Sequence, residues 1–146
     1  MANRTFRVQH LVACPDVVVT HVAPDNPYTL RDVSYNFDIP PEREWPIRLD
    51  GLWLYVRFFN GRGTRYFAVD VAWLDSPSGL QEICSFDPLT VPFPADPVHS
   101  RVLWVGAVRY PGPGRYRFRL RRSGRKRVLA EEFINLQRLA NDTQEV

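Results

Sequence analysis

Apolar positions in this chain recur mainly every second residue, the period of an extended strand with one wet face. From Asp32 to Ile39, Val33, Tyr35, Phe37 and Ile39 alternate with Asp32, Ser34, Asn36 and Asp38. The segment Leu52 to Phe59 is apolar on both faces, as a central strand must be, and its aromatic content argues against a helix. Asn60-Gly61 follows, with Gly63 two residues on, and predicts a hairpin because both Asn and Gly accept positive φ. The predicted return strand runs from Arg65 to Leu74, with Phe67, Val69, Val71 and Trp73 on one face.

Pro77 and Gly79 end that strand, and a short one is predicted over Gln81 to Phe86. Pro88, Pro92, Pro94 and Pro97 then predict an irregular stretch, since proline lacks the donor a central strand needs. Strand character resumes from Val98 to Tyr110, and Pro111-Gly112-Pro113-Gly114 forces a tight connection. Arg115 to Arg122 and Lys126 to Leu136 form the next pair about a Ser123-Gly124 turn, with Tyr116, Phe118 and Leu120 inward. At the front, Phe6 to Ala13 and Val17 to His21 read as strands split by Pro15. About eight short strands separated by turn residues predict an all-β chain, an antiparallel β-sandwich of immunoglobulin-like or jelly-roll-like type. One domain is expected over residues 1–136, with a tail over 137–146 that opens on a short helical turn and frays.

At 146 residues the chain is long enough to bury a self-sufficient core, so its two cysteines, Cys14 and Cys84, need not staple the fold. They read as two buried thiols, and whether they instead meet across two sheets is left to geometry that spacing does not give. The first residues lack the apolar run of a secretory signal, and no window approaches the roughly 18 apolar residues of a membrane helix, so a cytoplasmic setting away from the membrane is expected. Eighteen arginines stand against one lysine, Lys126. That imbalance suits bidentate recognition of phosphate or carboxylate, and equally the codon usage of a GC-rich genome.

His10, Cys14 and His21 are the only grouping of metal-ligand types, and their spacing fits no zinc pattern, so no metal or cofactor is expected. Asp70 lies in a strand among apolar residues and is expected to face solvent or pair with an arginine such as Arg57. Glu131 and Glu132 are adjacent on a strand and point to opposite faces, which excludes a shared carboxylate site. The chain has no Gly-x-Ser-x-Gly elbow, and no helix follows Gly61-Arg62-Gly63 to make a phosphate loop. No catalytic residue is assigned, and the chain is not expected to be an enzyme.

One feature stands apart. Residues 109–127 hold nine basic side chains and no acid, while the rest of the chain carries ten basic and sixteen acidic residues, a net of −6. Arg115, Arg117, Arg119 and Arg121 alternate with Tyr116, Phe118 and Leu120, so the four guanidinium groups share one strand face at a spacing of about 6.5–7 Å. With Arg125 and Arg127 they form the candidate binding surface. Two readings are open: a surface for anionic polymer or phosphorylated ligand, or a solvated face whose arginines pair with acids on neighbouring strands, Glu131 among them. The aromatic side chains lie on the other face, which weakens base stacking.

The chain resembles a family of small bacterial β-sandwich proteins of the planctomycete type, a domain of unknown function. The matching features are Trp45-Pro46 ahead of Leu52–Phe59, the Gly61-x-Gly63 turn, Tyr110-Pro111 ahead of Gly114-x-Tyr116-x-Phe118-x-Leu120, and the Gly124 turn. The resemblance spans roughly Phe6 to Leu136 and implies the sandwich fold, with no catalytic residue to carry over. The functional expectation is a non-enzymatic interaction module that meets a protein partner or a second copy of itself through a sheet edge or a loop end. The alternative is an anion-binding domain, for nucleic acid or a phosphorylated ligand, built on the 109–127 arginines.

Overall fold

Twelve strands and no helix make up the described residues, and the fold is all-β. The computed structural model describes residues 5–14, 16–19, 28–31, 36–49, 52–105 and 108–139, with backbone alone at 14, 16–19 and 28–31. In chain order the strands are β1 (Arg7–Cys14), β2 (Asp16–Val19), β3 (Tyr28–Arg31), β4 (Asn36–Ile39), β5 (Ile47–Arg48) and β6 (Trp53–Phe59). They continue with β7 (Thr64–Trp73), β8 (Gln81–Pro92), β9 (Val98–Trp104), β10 (Arg109–Tyr110), β11 (Gly114–Arg122) and β12 (Val128–Arg138). A three-stranded sheet has the order β1-β6-β9 and a five-stranded sheet the order β4-β12-β11-β7-β8. Two-stranded ribbons, β2-β3 and β10-β5, complete the twelve, against about eight expected: β2 falls on the predicted Val17–His21 strand and β10 at the end of the predicted Val98–Tyr110 strand, while β3 and β5 are additional. All pairings are antiparallel except β12 with β4.

Inward side chains of both larger sheets join one apolar cluster: Leu54, Val56 and Phe58 from β6, Phe67, Val69 and Val71 from β7, and Tyr116, Phe118 and Leu120 from β11. The alternation read from the sequence places them there, and along β4 it leaves Asn36 and Asp38 exposed while Ile39 is buried. The first half of that predicted strand, residues 32–35, lies outside the described residues, as do His21 and residues 106–107 of the strand predicted up to Tyr110.

Asn60–Gly63 is not a hairpin. β6 pairs with β1 and β9, whereas β7 pairs with β11 and β8, so the turn carries the chain from one sheet to the other. Positive φ falls at Asn60 and Gly63, not at the Asn-Gly pair that a tight hairpin uses. Gly61 is needed for a different reason: a Cβ there would sit 2.3 Å from the Phe93 ring, which packs onto its backbone.

β8 runs on to Pro92, well past the predicted end at Phe86. It is an edge strand, and Asp87 and Pro88 together face the single residue Ala68, a bulge where proline costs no ladder bond. At the far end, Gln137 and Arg138 remain in β12, opposite Asp38 and Ile39, so the helical turn expected from Gln137 does not form there. Residues 140–146 lie outside the described residues. Cys84 is an exposed free thiol rather than a buried one, and the Cys14 side chain lies outside the described residues. No helix among the described residues is long and apolar enough to cross a membrane.

The Pro111–Gly114 connection is locked by the residue that follows it. Tyr116 is fully buried, and its hydroxyl donates to the Gly112 carbonyl (2.5 Å) and accepts from the Gly112 N–H (3.2 Å). Its ring stacks on Trp73 at 6.0 Å, and the Trp73 indole N–H donates to the Pro113 carbonyl at 3.1 Å. Burial pushes the Tyr116 hydroxyl up to about 12, so it stays a donor across the ordinary pH range. Tyr116→Phe, which leaves both Gly112 groups without this partner, is expected to lower the unfolding free energy by about 1–3 kcal/mol in urea titration. A change below about 0.5 kcal/mol would show that water replaces the hydroxyl.

Candidate functional site

β11 places Arg115, Arg117, Arg119 and Arg121 on the outer face of the five-stranded sheet, as strand geometry requires, with β7 and β12 on either side. Acids on neighbouring elements engage most of them. Arg115 grips Asp75 with two bonds, Nη2 to Oδ1 at 2.9 Å and Nε to Oδ2 at 3.1 Å, and its backbone N–H donates to the same carboxylate at 2.7 Å. Arg119 meets Glu131 at 2.7 Å across the β11–β12 register. Arg121 forks onto Asp70 at 2.6 and 3.2 Å, and an Asp87 oxygen stands 3.7 Å from the same Nη2.

The arginine partner expected for Asp70 is therefore Arg121, not Arg57, which sits on the other sheet. Arg121 beside it, helped by the Ser85 hydroxyl, holds the Asp70 carboxyl below its ordinary range against the opposing effect of burial. Arg115 does the same for Asp75. Arg117 differs: it is half-buried in register with Phe133 and Ala72, and its Nε has no hydrogen-bond acceptor. Glu131 and Glu132 point to opposite faces, Glu132 inward, where it accepts from the Ala13 N–H at 3.1 Å. No group of three or more His, Cys, Asp or Glu that would hold a metal exists among the described residues.

The arginines beyond the row behave otherwise. Ser123-Gly124 closes the β11–β12 turn, with Gly124 at φ 76° and the Arg125 N–H donating to the Arg122 carbonyl at 2.9 Å. The turn is tied to β7 by the Ser123 N–H, which donates to the Tyr66 carbonyl at 2.9 Å. Arg122, Arg125 and Arg127 thereby line one wall of a cleft of about 400 Å³, together with Val128 and Leu129. The opposite wall is the start of β1, with Phe6, Arg7 and Val8.

Among the described residues no carboxylate lines this cleft, and none pairs with Arg122, Arg125 or Arg127. The Arg7 guanidinium lies 4.6 Å above the Phe59 ring, and that of Arg65 lies 5.3 Å from the ring of Phe6. Phe6, Val8 and Leu129 pack against the core and give the cleft an apolar floor.

Of the six candidate residues, the structure thus brings Arg125 and Arg127 into a cleft, pairs Arg115, Arg119 and Arg121 with acids, and packs Arg117 beside Phe133. Arg122 and Arg7 complete the cleft. Arg122 belongs to the basic stretch, but nothing in the sequence near Arg7 signals that β1 begins beside the β11–β12 turn.

No family model matches the chain, and no curated protein matches it. Solved structures do. One is the Pseudomonas fluorescens alkylpurine DNA glycosylase AlkC bound to DNA containing an abasic site analog, at 14% identity over 90% of this chain and 30% of that one, TM-score 0.47. A second is an immunoglobulin-like protein from Pseudomonas aeruginosa, at 14% identity over 94% of this chain and 100% of that one, TM-score 0.44. A third is the β-D-glucoside glucohydrolase from Trichoderma reesei, at 9% identity over 94% of this chain and 19% of that one, TM-score 0.47. This chain spans under a third of the glycosylase and of the glucohydrolase, and similarities this low bring no function with them.

Proposed function

We propose that this chain is a non-enzymatic interaction module that takes an anionic partner at the loop end where β1 meets the β11–β12 turn. The observation that carries this reading is the contrast within the basic stretch. Arg115, Arg119 and Arg121 are neutralised by Asp75, Glu131 and Asp70, whereas Arg122, Arg125 and Arg127 face a cleft that no acid lines among the described residues. Guanidinium groups left without carboxylates are the ones available to an incoming anion.

The fold that goes with it is an immunoglobulin-like sandwich. Support comes from the single core fed by two sheets and from the Tyr116 hydroxyl bonded back to Gly112, the tyrosine-corner arrangement of such domains. A contact between copies through a sheet edge has weaker support. β8, the longest edge, is bulged at two places and carries Pro88 and Pro92, features that guard an edge against pairing.

Calorimetric titration with inorganic pyrophosphate tests the reading. The Arg125→Ser/Arg127→Ser variant is expected to bind at least about tenfold more weakly than the wild type, the cost of losing charge-assisted hydrogen bonds. Arg115→Ser/Arg119→Ser is expected to stay within about twofold, since those groups already serve Asp75 and Glu131. The opposite order of the two variants would move the site to the β11 row, and a wild type that binds no pyrophosphate would end the reading.

A further inference from the structure

The geometry points to a compact ligand for this cleft, a phosphate monoester that carries an apolar or aromatic group, rather than a nucleic-acid strand. This inference rests on the anion-binding reading and narrows its ligand. Three observations carry it.

A polymer needs a track of free cations at phosphate spacing. Among the described residues the β11 row has that spacing, and Asp75, Glu131 and Asp70 occupy three of its four arginines. Arg122, Arg125 and Arg127, which no acid pairs among the described residues, are instead gathered on one turn, within six residues of one another, around a single cleft. A volume of about 400 Å³ lies in the range of small-molecule sites and is far more than a bare phosphate fills.

The walls set the rest of the chemistry. Phe6 and Val8 on one side and Val128 and Leu129 on the other offer carbon surface beside the arginines. A ligand that is only charge would leave that surface wet, while one with an apolar substituent covers it. A phosphate monoester also suits three guanidinium groups better than a carboxylate does, because it presents three acceptor oxygens and nearly two charges at neutral pH.

Titration of the full chain with phenyl phosphate, inorganic phosphate, benzoate and single-stranded oligothymidylate tests this. Phenyl phosphate is expected to bind at least about tenfold tighter than either inorganic phosphate or benzoate. Oligothymidylate is expected to bind no tighter than phenyl phosphate, with a shallow salt dependence. Val128→Ser, at an exposed position on the cleft wall, is expected to narrow the ratio of phenyl phosphate to inorganic phosphate affinity. Adenosine monophosphate and O-phosphotyrosine, titrated alongside, separate a nucleotide source from a phosphorylated side chain, and either one exceeding inorganic phosphate supports the inference.

Equal affinity for phenyl phosphate and inorganic phosphate would overturn it. So would tighter, steeply salt-dependent binding of oligothymidylate, with the anion-binding reading left standing in both cases. Failure of every anion to bind would remove the reading beneath it as well.

Discussion

Phe58→Ala is expected to lower the unfolding free energy by about 3–5 kcal/mol, the largest stability effect of any single change considered. Phe58 is fully buried on β6, and its ring lies 5.1 Å from those of Phe67 and Phe93 and 6.0 Å from that of Phe6. Phe67 belongs to β7, in the other sheet, so Phe58 is where the two inner faces touch. The three rings packed edge and face around it hold one another in place, which limits how far the site can collapse after truncation and keeps the cost near the upper part of the range. Urea unfolding of the variant, with a Phe58/Phe67 double-mutant cycle, measures it. A loss below about 1.5 kcal/mol, or additive single effects, would mean that the sheets do not share this core.

Glu132→Ala is expected to cost about 2–4 kcal/mol. This carboxylate is 6% exposed, and its two oxygens accept from the Ala13 N–H at 3.1 Å and the Phe133 N–H at 2.9 Å. Ala13 belongs to β1 and Glu132 to β12, so one side chain bonds the three-stranded sheet to the five-stranded sheet. Truncation leaves the Ala13 N–H buried without this acceptor, and such a group costs its full desolvation. Glu132→Gln, which keeps one acceptor oxygen, is expected to lose less than half as much. Amide exchange reports the local effect: Ala13 is expected to exchange markedly faster in the alanine variant. Unchanged exchange at Ala13, with stability within about 0.5 kcal/mol of wild type, would show that the bridge contributes nothing.

Much of the fold was legible because period-two alternation is set by local geometry alone. Phe67, Val69 and Val71, like Tyr116, Phe118 and Leu120, were assignable to an inner face from spacing, and all six are fully buried. Pairing was not legible to the same degree. Asn60-Gly61 reports a tolerance for positive φ, and that tolerance serves an inter-sheet link as well as a hairpin. β8 was cut short at Phe86 because prolines exclude a central strand, while the sequence held no sign that this strand is an edge with a bulge at Asp87-Pro88.

The candidate site divides along the same line. Strand geometry was enough to put Arg115, Arg117, Arg119 and Arg121 on one face, and Glu131 was identifiable as a cross-strand partner from its place on the adjacent strand. The partners Asp70 and Asp75 come from β7 and from the residues just after it, 51 and 40 positions away from Arg121 and Arg115. Which arginines were left unpaired therefore depended on contacts that spacing cannot supply. The same holds for Arg7, brought to the cleft by the packing of β1 beside β12.

The proposed site depends on one division, between guanidinium groups that the protein itself neutralises and those that no acid pairs among the described residues. Arginine Nε–Hε resonances, followed by NMR as phenyl phosphate is added, observe both sets in a single titration. The signals of Arg122, Arg125 and Arg127 are expected to shift and saturate together, while those of Arg115, Arg119 and Arg121 hold their positions. Saturating shifts at Arg115, Arg119 and Arg121, with the turn arginines unmoved, would contradict it.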